Sequence, residues 1–222
     1  MKYLLDTANL ADIRRFYDIF PIAGVTSNPS IVKREGNVDF FAHMKEIRSI
    51  IGPEKALHIQ VTALDTEGML KDADTILEKV DPDVYVKVPV TIEGIKAIRL
   101  MKQNGIRVTG TVVYSKQQGF LAMEAGADFI APYFNRMENL GIDPDDVIAS
   151  LAEMIALYDY PTQILAASFK NAGQVDRAFL AGAQTATMDP SILEGILAQP
   201  HITGAVDAFD ADWKSIHGNT LI

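Results

Sequence analysis

Eight short apolar runs alternate with amphipathic helical patterns from one end of this 222-residue chain to the other. Alternating strand and helix signals predict repeated βα units, in which the strands lie parallel. Because no Gly- or Ser-rich linker interrupts the eight units, the sequence predicts a single domain, residues 1–222, folded as an α/β (β/α)8 TIM barrel. The alternative is an open, doubly wound sheet, but its phosphate-binding fingerprints Gly-x-Gly-x-x-Gly and Gly-x-x-x-x-Gly-Lys-Ser/Thr are absent.

One further helical pattern, residues 204–216, follows the eighth unit. A barrel closed by eight units leaves no slot for this helix. Its apolar residues Val206, Phe209, Trp213 and Ile216 fall on one stripe. We therefore expect an extra C-terminal helix that packs on a neighbouring subunit of a homo-oligomer.

A lysine lies in the middle of the fourth predicted strand, the run VYVKVPV at 84–90. Side chains alternate along a strand, so Tyr85 and Lys87 share one face and the valines share the other. A run this apolar is typical of a parallel strand buried on both faces, which would desolvate the Lys87 amine and lower its pKa. Such an amine is a nucleophile toward carbonyl compounds. The alternatives are a lysine paired with a carboxylate, or one that reaches solvent beyond the strand end.

Polar side chains of complementary types stand near the ends of the predicted strands, where the active sites of such barrels lie. Every predicted strand except the eighth contributes one. The set contains an amine, a carboxylate, a phenol, two amides, two hydroxyls and two further cations: Lys87, Asp6, Tyr133, Asn28, Gln60, Thr111, Ser168, Arg136 and Lys170. Arg136 and Lys170, which follow consecutive strands, are placed to hold a phosphate.

Composition argues against several other classes of protein. The net charge of −9 and the lack of a basic stripe disfavour nucleic-acid binding. There is no cysteine, and the four histidines lack metal-ligand spacing, so we expect no metal site. No Gly-x-Ser-x-Gly nucleophile motif is present.

The same sequence gives no sign of membrane insertion or export. The N-terminal residues lack the layout of a signal peptide. No apolar run approaches the roughly 18 residues needed to span a bilayer. We therefore expect a cytoplasmic protein without a membrane partner.

Five stretches together resemble the small transaldolase family, and most of all its fructose-6-phosphate aldolase branch. They span nearly the whole chain in the family's order: LDT at 5–7, AGVTSNPS at 23–30, VKVPVT at 86–91, APYFNR at 131–136 and AASFK at 166–170. The resemblance implies a (β/α)8 barrel, a Schiff-base lysine at Lys87, no cofactor, and often a decamer of two pentameric rings.

The resemblance also implies a role for each catalytic candidate. Lys87 would form the imine with the ketone carbon of a dihydroxyacetone unit. Asp6 would assist proton transfer at the hydroxyl next to the bond that breaks. Gln60, Thr111 and Tyr133 would position the water and the proton used to make and hydrolyse the imine.

The binding residues follow from the same resemblance. Asn28 and Ser168 would hold the hydroxyls of the donor. Arg136, with Ser168 and Lys170, would bind the phosphate of a sugar phosphate or of glyceraldehyde 3-phosphate.

Two positions distinguish the branches of the family. Transaldolases typically carry Glu where this chain has Gln60 and Phe where it has Tyr133, so both residues resemble the aldolase branch. Thr109 departs from both branches, since transaldolases carry Asn there and the aldolases an apolar residue.

The resemblance predicts a class I aldolase that reversibly splits fructose 6-phosphate into dihydroxyacetone and glyceraldehyde 3-phosphate. The alternatives are a transaldolase of the pentose phosphate pathway, which passes the three-carbon unit to erythrose 4-phosphate, and a non-catalytic barrel that binds a sugar phosphate.

Overall fold

Eight parallel strands form a closed barrel in a computed structural model that describes residues 1–219 and 221. Each strand pairs with its sequence neighbours, and the last pairs with the first. The strands are β1 (Lys2–Asp6), β2 (Ile22–Thr26), β3 (Ala56–Gln60), β4 (Tyr85–Pro89), β5 (Val108–Val113), β6 (Phe129–Pro132), β7 (Gln163–Ala166) and β8 (Thr185–Met188). The predicted (β/α)8 barrel is confirmed.

The helices surround the barrel and mostly begin at a side chain that accepts a hydrogen bond from the first turn. Asn9 and Asp143, for example, accept from the backbone N–H of Asp12 and Asp145. The helices are α1 (Leu10–Ile19), α2 (Pro29–Arg34), α3 (Phe40–Ile51), α4 (Thr66–Lys79), α5 (Ile92–Gln103), α6 (Lys116–Glu124), α7 (Phe134–Asn139), α8 (Pro144–Tyr158), α9 (Ala172–Leu180), α10 (Pro190–Leu197) and α11 (Pro200–His217).

Two short helices, α2 and α7, were not predicted. A turn was predicted at Pro29, because proline biases the preceding residue away from helical angles. Asn28 does have extended angles (φ −152°), but it is the N-cap of α2 and Pro29 occupies the first helical position. Six residues are too few to display a helical period, so neither short helix has a recognisable apolar stripe.

The two halves of the barrel interior differ in polarity. Leu4, Phe129 and Leu165 fill the end at which the strands begin, and Tyr85 packs against them. The ring of His58 stacks on Tyr85 at a centroid distance of 4.8 Å. The half nearer the end at which the strands stop instead buries polar side chains: Thr26, Lys87, Thr109, Thr111 and Thr187. The buried polar side chains of the interior therefore lie mostly toward the end at which the strands stop.

The C-terminal helix begins earlier than predicted, at Pro200 rather than at residue 204, because proline is well suited to the first helical position. Among the described residues of α11, none is buried. Phe209 and Ile216 are 72% and 75% exposed, and Val206 is also exposed. Three of the four residues of the predicted stripe thus lie on the outside of the molecule, whereas Trp213 is partly buried. What the stripe packs against stays a prediction. Within the described chain, no helix is long and apolar enough to cross a membrane.

Candidate active site

A cavity of about 380 Å³ opens at the carboxyl ends of the strands. Most of the predicted site residues line it: Asp6, Asn28, Lys87, Tyr133, Arg136, Ser168 and Lys170. They come from different strands and meet because parallel strands of a barrel end at one rim. The loops after these strands thus bring together groups that lie far apart in the sequence.

Lys87 lies at the bottom of this cavity and is only 4% exposed. Its Nζ donates to the backbone oxygen of Ser27 at 2.9 Å. No carboxylate among the described residues lies within ion-pairing distance of Nζ, so both alternatives, a paired lysine and a solvated one, are wrong. Burial lowers the pKa of Lys87, and the nearby Asp6 carboxylate only partly opposes this shift.

Asp6 ends β1 and also lines the cavity. Its Oδ1 accepts from Thr26 Oγ1 at 2.7 Å, and Thr26 Oγ1 also lies 2.7 Å from Thr187 Oγ1. Burial raises the pKa of Asp6, while the Lys87 cation and the Thr26 hydrogen bond lower it. Since Asn9 caps the helix that follows, Asp6 is available for proton transfer.

Tyr133 adds a phenol beside the lysine. It is 6% exposed and its Oη lies 3.0 Å from Thr111 Oγ1. Burial raises the pKa of Tyr133, against the effect of the hydrogen bond with Thr111, so the phenol keeps its proton at neutral pH. The Arg136 guanidinium lies 4.7 Å from the centre of the Tyr133 ring, a cation–π contact that orients both groups.

Gln60 and Thr111 stand behind the cavity wall. Thr111 is buried and reaches the cavity through Tyr133. Gln60 is the register partner of Lys87 on the neighbouring strand and lines an adjacent cavity of about 280 Å³. Its Oε1 is buried with no hydrogen-bond partner among the described residues. A buried amide oxygen without a protein partner is suited to accept a hydrogen bond from a water molecule.

The side of the cavity formed by β6 and β7 is cationic. Arg136 and Lys170 line it, and neither forms an ion pair with a carboxylate of the described residues. Between them Ser168 adopts a left-handed backbone conformation (φ 64°), which is strained for a non-glycine residue. Two unpaired cations beside a hydroxyl suit a phosphate group.

Several residues of the cavity were not found by sequence reasoning. They are Ser30, Ile31, Arg34, Asn135, Asn139, Ala167, Phe169, Met188 and Asp189. The expectation that the eighth strand contributes nothing was wrong, because Asp189 directly follows β8 and lines the cavity. The signal was present in the sequence: Asp189 is an acid at a strand end, as Asp6 is, but the following Pro190 also makes it a helix start.

The arrangement supports covalent chemistry on a carbonyl compound. A desolvated amine, a carboxyl with a raised pKa and a protonated phenol face one cavity, and an anion-binding wall adjoins them. Over the described residues, no three histidine, aspartate or glutamate side chains converge to hold a metal ion.

The chain is similar to known proteins both in its fold and in its sequence. The structure of a dihydrodipicolinate synthase from Rhodopseudomonas palustris matches 85% of this chain and 69% of its own with a TM-score of 0.60. At 13% identity, this likeness establishes the barrel alone. The chain is 47% identical over 222 residues to a probable fructose-6-phosphate aldolase of Streptococcus pneumoniae, with 100% of both chains covered.

Two further matches agree with that relative. The chain is 35% identical over 219 residues to a probable transaldolase of Agathobacter rectalis, covering 99% of this chain and 100% of the other. A family model described as transaldolase/fructose-6-phosphate aldolase matches residues 3–220. With its barrel, its rim of complementary side chains and this match over nearly its full length, the chain belongs to the transaldolase/fructose-6-phosphate aldolase family.

Proposed function

We propose that this chain is a class I aldolase that reversibly cleaves fructose 6-phosphate into dihydroxyacetone and glyceraldehyde 3-phosphate. The observation that carries the proposal is Lys87, a buried amine with no carboxylate partner among the described residues, at the bottom of a cavity with a cationic wall. The relative at 47% identity is named a probable fructose-6-phosphate aldolase and the one at 35% a probable transaldolase, so the more similar of the two supports the aldolase reaction. A cytoplasmic location stays a prediction from the sequence.

The cleavage begins at the ketone carbon of the sugar. The Lys87 amine adds to this carbon and water leaves, which gives a protonated imine. Asp6 accepts the proton of the hydroxyl on C4, and the bond between C3 and C4 breaks. Its electron pair passes to the imine and forms an enamine, while the aldehyde half leaves as glyceraldehyde 3-phosphate.

The second half of the cycle releases the donor. The enamine takes a proton at C3, and a water molecule hydrolyses the imine to free dihydroxyacetone and the amine. In our proposal Tyr133 supplies the proton, directly or through a water, and Gln60 and Thr111 hold the water. The buried Gln60 Oε1 and the contact between Thr111 and Tyr133 support these roles.

The phosphate is proposed to lie against Arg136, Ser168 and Lys170, and Asn28 to hold donor hydroxyls. Asn28 lines the cavity while its Oδ1 accepts from the backbone N–H of Ile31 at 3.0 Å. Its amide nitrogen therefore stays available to a substrate hydroxyl.

One assay tests the proposed reaction. Fructose 6-phosphate is supplied with and without erythrose 4-phosphate, and free dihydroxyacetone and transferred product are measured. An aldolase releases dihydroxyacetone in both cases. If the protein forms only the transferred product, transaldolase replaces aldolase. If no covalent imine can be trapped with borohydride, the chain is a binding barrel.

The balance between release and transfer is predicted to depend on Gln60 and Tyr133. Tyr133→Phe removes the phenolic proton and should slow dihydroxyacetone release by about 10²-fold, with much less effect on imine formation. Gln60→Glu places a carboxylate near the cationic imine and should shift the product ratio toward transfer. The measurement is the ratio of free dihydroxyacetone to transferred product with erythrose 4-phosphate present.

A matched control for this pair is Tyr17→Phe, which also removes one phenolic oxygen. Tyr17 donates to the backbone oxygen of Ile51, outside the cavity. Its substitution should leave the product ratio unchanged. An unchanged product ratio in Tyr133→Phe would instead show that Tyr133 takes no part in the release of dihydroxyacetone.

We also propose that α11 packs on a neighbouring subunit of a homo-oligomer, in line with the decamer implied by the family resemblance. The exposed stripe on α11 supports this, and so does an apolar groove between α1 and α10 with a volume of about 170 Å³. Tyr3, Phe20, Leu193, Ile196 and Leu197 line the groove. Apolar surface of this kind is typical of subunit interfaces.

Truncation after Gln199 removes α11 and should lower the particle mass measured by light scattering. The double substitution Phe209→Ser and Ile216→Ser should have the same effect, because both side chains are exposed within one chain and their loss leaves the barrel core intact. Thr203→Ser on the same helix is the control. An unchanged mass in the truncated protein would show that α11 takes no part in assembly.

A further inference from the structure

A pair of charged residues bridges the rim of the cavity on the side of Asp6. Arg34 lies at the end of α2, which follows β2, and Asp189 directly follows β8. Since β1 lies between β2 and β8, the pair crosses above Asp6. Arg34 Nη1 and Asp189 Oδ2 are 3.8 Å apart, and both residues line the cavity.

The two oxygens of Asp189 have different surroundings. Oδ1 accepts from the backbone N–H of Ser191 at 3.0 Å and from its hydroxyl at 2.7 Å, which caps α10. Oδ2 faces Arg34 at a distance too long for a hydrogen bond. The Asp189 side chain is 45% exposed and that of Arg34 65%, so the ion pair is weak. Oδ2 is therefore able to accept a hydrogen bond from a ligand in the cavity.

The order of the strands indicates which part of the substrate Asp189 Oδ2 would contact. Asp6 stands on β1 and Ser168 with Lys170 follows β7, and β8 lies between these strands. In the proposed reaction Asp6 acts at the C4 hydroxyl, and the phosphate on C6 lies at Ser168 and Lys170. The carbon between them, C5, carries a hydroxyl group. Asp189, which directly follows β8, offers a hydrogen-bond acceptor at this position.

We propose that Asp189, oriented by Arg34, binds the hydroxyl on the carbon between the reacting carbon and the phosphate-bearing carbon. This inference rests on the proposed function and deepens it. Asp189 makes the site selective for aldehydes that carry a hydroxyl next to the carbonyl and a phosphate on the following carbon. In the cleavage direction, the same contact favours sugar phosphates with a hydroxyl on C5.

The charges of the pair also act on the acid–base residue. Burial is the main cause that raises the pKa of Asp6 and the Lys87 cation the main cause that lowers it. Arg34 adds to the lowering and Asp189 to the raising. These effects agree with the position of the pair on the Asp6 side of the cavity. A substrate hydroxyl at Asp189 would therefore lie beside the hydroxyl at Asp6.

The alternative is that Asp189 serves only as a helix cap, and the chain contains a matched control for this role. Asp143 also precedes a proline, Pro144, and its Oδ1 caps α8 by accepting from the backbone N–H of Asp145 at 3.0 Å. Asp143 is not among the residues of the cavity wall. Serine is as good an N-cap as aspartate, so substitution by serine keeps either helix start.

The experiment runs the reaction toward synthesis from dihydroxyacetone and two aldehydes. One is glyceraldehyde 3-phosphate, and the other is 3-oxopropyl phosphate, which lacks only the hydroxyl. The readout is the ratio of their kcat/KM values in each variant. Asp189→Ser should lower the preference for the hydroxylated aldehyde by about tenfold or more, because a hydrogen bond to a charged group is lost.

Two further variants complete the series. Arg34→Met should lower the preference by a smaller factor, because Asp189 keeps its carboxylate but loses the charge that orients it. Asp143→Ser should leave the preference as in the wild type. An unchanged ratio in Asp189→Ser, or an equal fall in Asp143→Ser, overturns the inference.

Borohydride trapping with dihydroxyacetone alone separates this inference from the proposed function. The trapped imine forms at Lys87 before any aldehyde is needed. If the wild-type protein is trapped but its ratio equals that of Asp189→Ser, only the proposed role of Asp189 is contradicted. If the wild-type protein is not trapped, both the proposed function and the role of Asp189 are contradicted.

Discussion

Lys87→Met is expected to abolish covalent trapping and to lower fructose 6-phosphate cleavage on the order of 10⁴-fold or more, as the loss of a covalent nucleophile does. The protein should stay folded, because the methionine side chain replaces the buried methylenes of a lysine that makes one hydrogen bond, to Ser27. Mass spectrometry after borohydride treatment with dihydroxyacetone should find one three-carbon label per wild-type chain, at Lys87, and none in the variant.

Lys102→Met is the control for labelling. Lys102 is also partly buried, but its Nζ lies 2.7 Å from an Asp128 oxygen in an ion pair outside the cavity. This variant should be labelled at Lys87 as the wild type is. A label that persists in Lys87→Met, on any residue, would contradict the assignment of the nucleophile.

Asp6→Asn is expected to separate imine formation from bond cleavage. The amide oxygen can still accept from Thr26, so the local structure is kept, but the group can no longer take the C4 hydroxyl proton. Cleavage should fall by about 10²- to 10⁴-fold, the usual contribution of a general base. Trapping with dihydroxyacetone should continue, because the Lys87 amine adds to the ketone before Asp6 acts.

The same variant should shift the pH dependence of trapping in a definite direction. Burial lowers the pKa of Lys87, and the Asp6 carboxylate opposes that effect because it stabilises the ammonium form. Without the carboxylate the pKa of Lys87 falls further, so the reactive amine persists to lower pH. The rate of trapping should therefore decline at a lower pH in Asp6→Asn than in the wild type.

Asp12→Asn is the matched control, since Asp12 lies in the first turn of α1 outside the cavity wall. Its trapping profile should coincide with that of the wild type. A shift toward higher pH in Asp6→Asn would show that the Asp6 carboxylate does not stabilise the Lys87 ammonium.

The strands and the lysine were predictable because their signals are local. Alternation along the run at 84–90 places Lys87 and Tyr85 on one face, and both do face the barrel interior. The rule that active sites lie at strand ends then located seven of the sixteen residues that line the cavity. Each of these inferences needs only a few consecutive residues and knowledge of the fold.

The contacts that sequence reasoning missed join residues from different strands. Thr109 is the position at which this chain departs from both branches of the family. Its Oγ1 lies 2.9 Å from His58 Nδ1, on β3, two strands away. Burial lowers the pKa of His58 well below its usual range, so the ring is neutral. No spacing in the sequence indicates this contact, because it depends on side-chain direction inside the closed barrel.

The contact of Arg34 with Asp189 could not be predicted from the sequence, for a similar reason. Arg34 reaches over β1 from a six-residue helix, α2, that has no periodic signal of its own. The role of Asp189 as a helix cap was visible in the sequence. The contact of its Oδ2 with Arg34 was not, because it depends on how α2 and the end of β8 meet in the folded barrel.

The height of the lysine within the barrel has a consequence of its own. Two residues along a strand raise a side chain by about 6.6 Å, so Tyr85 lies one step below Lys87 and Pro89 one step above. At the lower step an amine would stand among aromatic rings, beyond the reach of any substrate carbonyl. Position 89 is partly exposed, so an amine at the upper step would be better hydrated and its pKa would be lowered less. Of these three positions on β4, that of Lys87 is the one that is both buried and part of the cavity wall, so it is the level at which an amine is desolvated and still within reach of a substrate carbonyl.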